Sequence, residues 1–112
     1  MMQSAAYGRL GQEPRSIQTQ SGNAMAVASI AVSVGEHDEP PLWIGILAFG
    51  KLADDLLRHQ KGDMVSASGR VQRSSWTNSA GEKREQLQIV ADSIISSRLT
   101  RPPTGQRREG SK

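Results

Sequence analysis

The 112-residue chain has no cysteine, two histidines, four aromatic residues and no long apolar run. Without cysteine, neither a disulfide framework nor a thiolate metal site can form. His37 lies in a predicted loop and His59 at the predicted end of a helix, so we expect both to be surface residues. Two histidines do not make a metal or catalytic cluster. No stretch reaches the roughly 18 apolar residues of a membrane helix, and the first ten residues lack a signal-peptide core. The sequence therefore predicts a cytoplasmic protein without a membrane segment or cofactor.

The formal net charge of +3 is a weak sign of nucleic-acid binding because of where the charge lies. Residues 98–112 carry five basic side chains and one acidic one, whereas residues 1–97 carry nine basic and ten acidic ones. Basic ends occur in many chains and often serve solubility alone. A nucleic-acid role must therefore be argued from the local placement of side chains.

The segment WIGILAFGKLADDLL, residues 43–57, is predicted to be a strand followed by a short helix. In the strand, Trp43 and Phe49 alternate with Ile44 and Ile46, so the two pairs point to opposite faces. After Gly50 the period changes to that of a helix with an apolar side. This segment is the centre of the predicted fold.

The remaining chain supplies a sheet for this strand. The polar residues 15–20 alternate only weakly and are predicted to be an arm rather than a strand. Four further segments have strand character: residues 5–10, 24–34, 63–76 and 84–96. One helix between the third and fourth of five antiparallel strands is typical of the OB-fold, an all-β Greek-key barrel, and a plain sandwich is the alternative. We expect a domain over residues 1–98 and a disordered basic tail over residues 99–112.

Three of the four aromatic residues lie where alternation turns them away from the core. Trp43 and Phe49 are opposite Ile46 on their strand, and Trp76 is opposite Val71 on the next one. Exposed rings on a small barrel are costly and indicate a partner. Nucleobases suit such rings, because stacking contributes about 1–3 kcal/mol per base whichever base is present. The placement predicts a surface that stacks the bases of a single strand.

Basic side chains beside these rings would contact phosphates. Arg70 shares the predicted face of Trp76, and Lys83 and Arg84 follow on the hairpin. A lone surface cation is ordinarily just solvated, but cations alternating with rings hold phosphates and bases together. The acidic residues do not form a catalytic pair, since Asp54 and Asp55 are adjacent on a helix and do not converge. We therefore expect a binding protein and not an enzyme.

Three motifs in one collinear order, spanning about residues 5–97, carry a family resemblance. They are GRLGQEP at residues 8–14, WIGILAFGKLA at residues 43–53 and GRVQRSSWTNSAG at residues 69–81. These are similar to the Gly-x-Leu-Gly-x-Asp/Glu-Pro turn, the Trp-to-Phe-Gly-Lys-x-Ala segment and the fourth strand with its hairpin tip in bacterial single-stranded DNA-binding proteins. The chain thus resembles that family.

The resemblance implies an OB-fold, a homo-oligomer (a tetramer in preference to a dimer) and sequence-independent binding of single-stranded DNA without catalysis. It implies a role in replication, recombination or repair, close to the nucleoid. It also implies that Lys51 lies near the DNA path. The complete set of candidate DNA contacts is three rings and seven cations: Trp43, Phe49, Trp76, Lys51, Arg70, Arg73, Lys83, Arg84, Arg9 and Arg15.

The chain departs from the family pattern at three places. Residues 35–41 form a short acidic loop where the family often has a longer basic one with another tryptophan. Gly45 stands where a basic residue is often found. We expect the basic residues 101–112 to stand in place of the family's acidic tip, which recruits replication and repair proteins. We expect a reduced variant, from a mobile element or a specialised pathway, whose basic tail adds nonspecific affinity.

Two alternatives share the predicted fold. One is a dimeric adaptor similar to primosomal replication protein n, in which protein contacts outweigh DNA contacts. The other is a protein–protein module whose exposed rings form a seam between subunits. The Gly-Lys-Leu-Ala segment at residues 50–53 and the Trp-Thr-Asn segment at residues 76–78 fit the DNA-coating protein better.

Overall fold

A computed structural model describes residues 1–20, 22–35 and 39–100, and in these residues six strands form one closed sheet. The strands are β1 (Met2–Leu10), β2 (Arg15–Gln18), β3 (Ala24–Val32), β4 (Leu42–Phe49), β5 (Met64–Thr77) and β6 (Lys83–Ile95), and the helices are α1 (Lys51–Leu57) and α2 (Ser97–Thr100). The strand order is β1-β5-β6-β4-β3-β2, and a second pairing of β1 with β3 closes the barrel. With α1 between β4 and β5, this is the predicted all-β OB-fold, which is confirmed.

Strand β2 was not expected, because residues 15–20 were predicted to be an arm. Arg15 to Gln18 instead pair antiparallel with β3 along the sheet edge. All four of their side chains are exposed, so no burial pattern marks them in the sequence. A backbone hydrogen bond from the Thr19 N–H to the Asn23 carbonyl oxygen, at 3.2 Å, closes the turn that brings the two strands together.

The core depends on the alternation that the sequence predicts for β4. Ile46 and Ala48 are fully buried, and Ile44 is half-buried beside them. They meet Leu56 of α1, which is also fully buried and closes one end of the barrel. Since this apolar face points inward, the odd-numbered positions of β4 point outward.

The predicted irregularity at Gly69 is present in the long β5–β6 hairpin. The register shifts between Ser68 and Gly69, which leaves one extra residue, Asp92, on β6. A Cβ atom at Gly69 would overlap the carbonyl oxygen of Val90, so only glycine lets the strands approach here. Such bulges sharpen the coil of a strand and help a small sheet to close.

His59 is not the surface residue that we predicted, since only 3% of it is exposed. Its Nδ1 lies 3.0 Å from the Asp55 carbonyl oxygen and must donate to it, because a carbonyl only accepts. Its Nε2 lies 2.6 Å from the Ser96 hydroxyl, which donates to it in the neutral tautomer. His59 therefore joins the end of α1 to the end of β6. His37 lies outside the described residues.

Helix α2 spans the expected boundary at residue 98, and its Leu99 packs against the core. The predicted basic tail at residues 101–112 lies outside the described residues. Within the described part of the chain, neither helix has the length and apolar character needed to cross a membrane.

An ion pair between Arg98 of α2 and Asp63 fixes α2 to the rest of the protein. It should make the free energy of unfolding depend on pH in the acid range. Arg98 donates two hydrogen bonds to the Asp63 carboxylate, at 2.8 and 3.1 Å, and the Gln60 N–H donates a third at 3.0 Å. The Arg98 bonds first, and the Gln60 bond second, hold the pKa of Asp63 below its ordinary value. A lowered folded-state pKa gives stability that is present above the unfolded pKa of about 3.9 and is lost as pH falls through the folded value.

We therefore expect Asp63→Asn to flatten the fall in stability below about pH 4. The urea midpoint measured from pH 5 to pH 2 tests this, with Asp54→Asn on the exposed side of α1 as the control. An acid dependence equal to that of the wild type would contradict the assignment.

Candidate nucleic-acid interface

On the side of the sheet that faces away from the core, outward-pointing residues of three neighbouring strands, β4, β6 and β5, lie next to one another. Gly45 of β4 is in register with Gln88 of β6, and the Gln72 side-chain amide on β5 donates to that of Gln88 at 3.1 Å. These contacts show that the three strands turn the same side outward there. We call this surface the outer face, and its members are Trp43, Gly45, Leu47, Phe49, Arg70, Gln72, Ser74, Trp76, Arg84, Gln86, Gln88 and Val90.

The three predicted stacking rings all lie on the outer face and are all accessible. Trp43 is 47% exposed, Phe49 44% and Trp76 47%. None belongs to the buried core, so the alternation argument placed each ring on the correct side. Half of each ring is held by the sheet and half is available to a partner.

The strand registers fix the spacing of these rings. The β4–β6 register, which pairs Ile44 with Leu87, places Trp43 beside Gln86. Gln86 is two residues along β6 from Arg84, and Arg84 pairs with Trp76 on β5. Two strand spacings and two residues give a Trp43–Trp76 separation of roughly 12 Å, and six residues along β4 put Phe49 roughly 20 Å from Trp43. At the duplex rise of about 3.4 Å this path of roughly 30 Å holds at most about nine nucleotides. That length is within the range of about 4–16 nucleotides that OB-folds bind.

The Trp43 ring is positioned by the turn after β1. A Cβ atom at Gly11 would lie 2.6 and 2.7 Å from the two outermost carbons of the indole, so the ring lies directly on this glycine. The turn is itself anchored, since the Lys61 N–H donates to the Glu13 carboxylate at 2.8 Å. Gly11 was part of a motif in the sequence, but its contact with Trp43 was not predicted.

A groove of about 650 Å³ runs along the outer face beside Trp43. Its floor includes Gly45, and two side-chain amides, Gln86 and Gln88, line it from β6. Arg15 of β2 lines it as well, which places this predicted cation next to Trp43. Sequence reasoning missed the glutamines, although their spacing of two on a predicted strand indicates a shared face.

Cations are few on the outer face. Arg70 and Arg84 lie there with Trp76, as predicted, and Arg15 lies at the groove. The Arg84 guanidinium is 3.1 Å from the Glu82 carboxylate, an exposed pair that water and salt screen. The face therefore offers aromatic and amide groups in greater number than charges.

The other predicted cations lie elsewhere. Arg73 and Lys83 point to the opposite side of the β5–β6 hairpin, and Arg73 lies 3.9 Å from Glu85 there. Arg9 donates to the Gly62 carbonyl oxygen at 2.9 Å, which directs it to the loop after α1. Lys51 begins α1, close to Phe49 in sequence, and is 3.4 Å from Asp55. The registers turn Arg73 and Lys83 away from the outer face, and contact of all four cations with DNA stays a prediction.

The outer face offers hydrogen-bonding and stacking groups. Among the described residues, no group of three histidine, aspartate or glutamate side chains is placed to hold a metal ion. The buried His59 is separate from the outer face and is occupied by its partners on α1 and β6. The chemistry of the face itself is that of stacking, amide contacts and a few positive charges.

Comparison with known proteins agrees with this geometry. Residues 1–97 match the model of the single-strand binding protein family. The chain belongs to this family. It is 36% identical over 91 residues to single-stranded DNA-binding protein 1 of Chlorobaculum tepidum, covering 74% of this chain and 56% of that relative. It is 31% identical over 106 residues to the single-stranded DNA-binding protein of Thermus aquaticus, covering 92% of this chain and 38% of that relative. The chain thus spans about half, or less, of the length of these relatives.

Solved structures show the same fold at lower sequence identity. A small single-stranded DNA-binding protein from Streptomyces coelicolor superposes with a TM-score of 0.70 at 19% identity, over 85% of this chain and 93% of that one. A deletion mutant of the single-stranded DNA binding protein from Thermus aquaticus gives 0.67 at 22% identity, over 86% of this chain and 40% of that one. These likenesses establish the OB-fold independently of the sequence motifs.

The contact between Gly11 and Trp43 gives a prediction that needs no DNA. Gly11→Ala should displace the outer edge of the indole and make Trp43 more accessible, while the melting temperature changes little. The measurement is acrylamide quenching of Trp43 fluorescence in a Trp76→Phe background, with and without Gly11→Ala. Equal quenching in the two proteins would show that Gly11 does not position the ring.

Proposed function

We propose that this protein binds single-stranded DNA without sequence preference, by stacking bases on Trp43, Phe49 and Trp76. The observation that carries the proposal is the placement of three half-exposed rings along one side of a small barrel. Membership of the single-strand binding protein family and the names of the relatives support it.

Stacking accounts for binding that ignores sequence. Every base has a π-face, and each stacked base contributes about 1–3 kcal/mol. Arg15, Arg70 and Arg84 lie where they can contact the phosphates between stacked bases. Four further cations complete the predicted contacts: Lys51, Arg9, Arg73 and Lys83. Arg73 and Lys83 would contact the strand from the opposite side of the β5–β6 hairpin.

We propose that the functional unit is a homo-oligomer, a tetramer in preference to a dimer. Strand β1 pairs with β5 along most of its length, but with β3 only at Arg9 and Leu10. Its other edge is therefore without a strand partner from Met2 to Tyr7 within the described residues. Tyr7 on the same strand is 60% exposed. A second copy that covered this edge would satisfy its backbone groups and bury its apolar side chains.

The cellular role that we propose is to coat and protect single strands during replication, recombination or repair, near the nucleoid and without catalysis. A binding protein of this kind requires no nucleophile, general base or cofactor. Contacts with replication and repair proteins would be additional to the outer face.

The rival interpretation, a seam between protein subunits, uses the same rings. Titration with oligo-dT separates the two. A base stacked on an indole quenches its fluorescence strongly, whereas a tryptophan already sealed between subunits does not respond to DNA.

We expect oligo-dT to quench the wild-type protein, and Trp43→Ala or Trp76→Ala to weaken binding by about 1–3 kcal/mol while the fold persists. The fold should persist because about half of each ring is outside the protein. Leu87→Ala, an exposed apolar residue on the opposite side of the hairpin, is the control and should bind as the wild type does. The proposal would be contradicted if oligo-dT neither quenched the fluorescence of the wild-type protein nor bound to it.

The small number of cations gives a second prediction. An oligo-dT of about eight nucleotides spans only the outer face, where Arg15, Arg70 and Arg84 give about three phosphate contacts, so log K should fall with log[salt] with a slope near −2. Arg70→Gln should reduce the slope by about 0.7. Arg73→Gln, on the same strand but the opposite side, reports whether the hairpin's other side also meets phosphates. A slope unaffected by Arg70→Gln would remove that residue from the interface.

A further inference from the structure

We propose that the groove beside Gly45 receives one nucleobase of the bound strand edge-first, with its hydrogen-bonding edge on the amides of Gln86 and Gln88. The inference rests on the proposed function, since a strand must already lie on the outer face. It adds a base-edge site, which is chemically different from a stacking ring.

The absence of a side chain at Gly45 lets Gln86 and Gln88 lie over the floor of the groove. This residue is buried at the groove floor, and a Cβ atom on it would lie 3.1 Å from Gln88 Cγ and 3.2 Å from Gln86 Oε1. The two glutamine side chains therefore lie over Gly45 at the edge of the groove, and a side chain at this position would displace them. The volume of about 650 Å³ is within the range of sites that bind small molecules, so a nucleobase fits.

The amides have hydrogen-bonding capacity to spare. Gln88 uses its Oε1 to accept from Gln72, which leaves its amide N–H groups available. Gln86 makes no hydrogen bond to another described residue, so both its donors and its acceptor are available. A glutamine amide presents a donor beside an acceptor, the pattern that base edges present in return.

The position along the strand also favours an edge contact. Between Trp43 and Phe49 the outward residues of β4 are Gly45 and Leu47, so a base that lies there has no ring on which to stack. Glu13 also lines the groove, and its negative charge disfavours a phosphate there. Arg15 lines the same groove. A phosphate can therefore pair with the Arg15 guanidinium while the base attached to it points to the two amides.

The test compares oligo-dT with an oligonucleotide of the same length in which thymine is replaced by difluorotoluene, an isostere that stacks but does not form base-edge hydrogen bonds. Wild-type protein should bind oligo-dT roughly ten-fold more tightly, which lies within the range of edge-specific base contacts. Equal affinity for the two oligonucleotides would overturn the inference and leave stacking intact. Binding of neither would instead overturn the proposed function.

Three variants locate the effect. Gln86→Leu keeps the size of the side chain but removes the amide, and should make the two oligonucleotides bind nearly alike. Gln72→Leu changes a glutamine of the outer face that does not line the groove, and should keep most of the difference. Gly45→Val displaces the two glutamines from the groove floor and should lower oligo-dT affinity several-fold, while quenching of Trp76 on saturation persists. A Gln86→Leu protein that still prefers oligo-dT as strongly as the wild type would refute the site.

Discussion

The alternation of side chains along β4 is the constraint on which the rest of the structure depends. Ile46 and Ala48 must point into the barrel because the core closes around them. A strand has only two faces, so the same burial turns Trp43 and Phe49 outward. A shift of one residue in register would bury the rings and expose the aliphatic side chains. Packing of the core and presentation of the rings are therefore one property of this strand.

Presenting a ring also requires holding it, and the end of the barrel near Gly11 does this through backbone contacts. The N–H of Leu10 donates to the Asp63 carbonyl oxygen, and the N–H of Gly62 donates to that of Leu10, both at 2.9 Å. Asp63 is in turn bonded to Arg98 of α2. The turn that supports Trp43 is thus tied to the loop after α1 and, through it, to the end of the described chain. Rings held in this way lose less conformational freedom when a partner binds.

Period-two patterns in five strands, and the helical period in α1, made most of the fold predictable from the sequence, since each of these elements buries one face. Strand β2 could not be found in this way, because an exposed edge strand depends on backbone pairing and leaves no apolar pattern. The burial of His59 depends on Ser96, a partner 37 residues away in sequence, and only the folded chain brings the two together. The rings were predictable from parity, but the arrangement of cations was not. A residue's face follows from its strand, whereas the direction of a long arginine depends on nearby partners such as the Gly62 carbonyl oxygen.

On the proposed function, the composition of the outer face would determine how well it distinguishes a single strand from a duplex. A face rich in charge attracts any polyanion, because phosphates are the same in both forms. Rings and amides need base faces and edges, which a duplex stacks and pairs internally. A face with three rings, several glutamines and few arginines therefore gains more from an unpaired strand than from a paired one. Its scarcity of charge favours discrimination, because the sequence-independent phosphate contribution, which a duplex shares, is kept small.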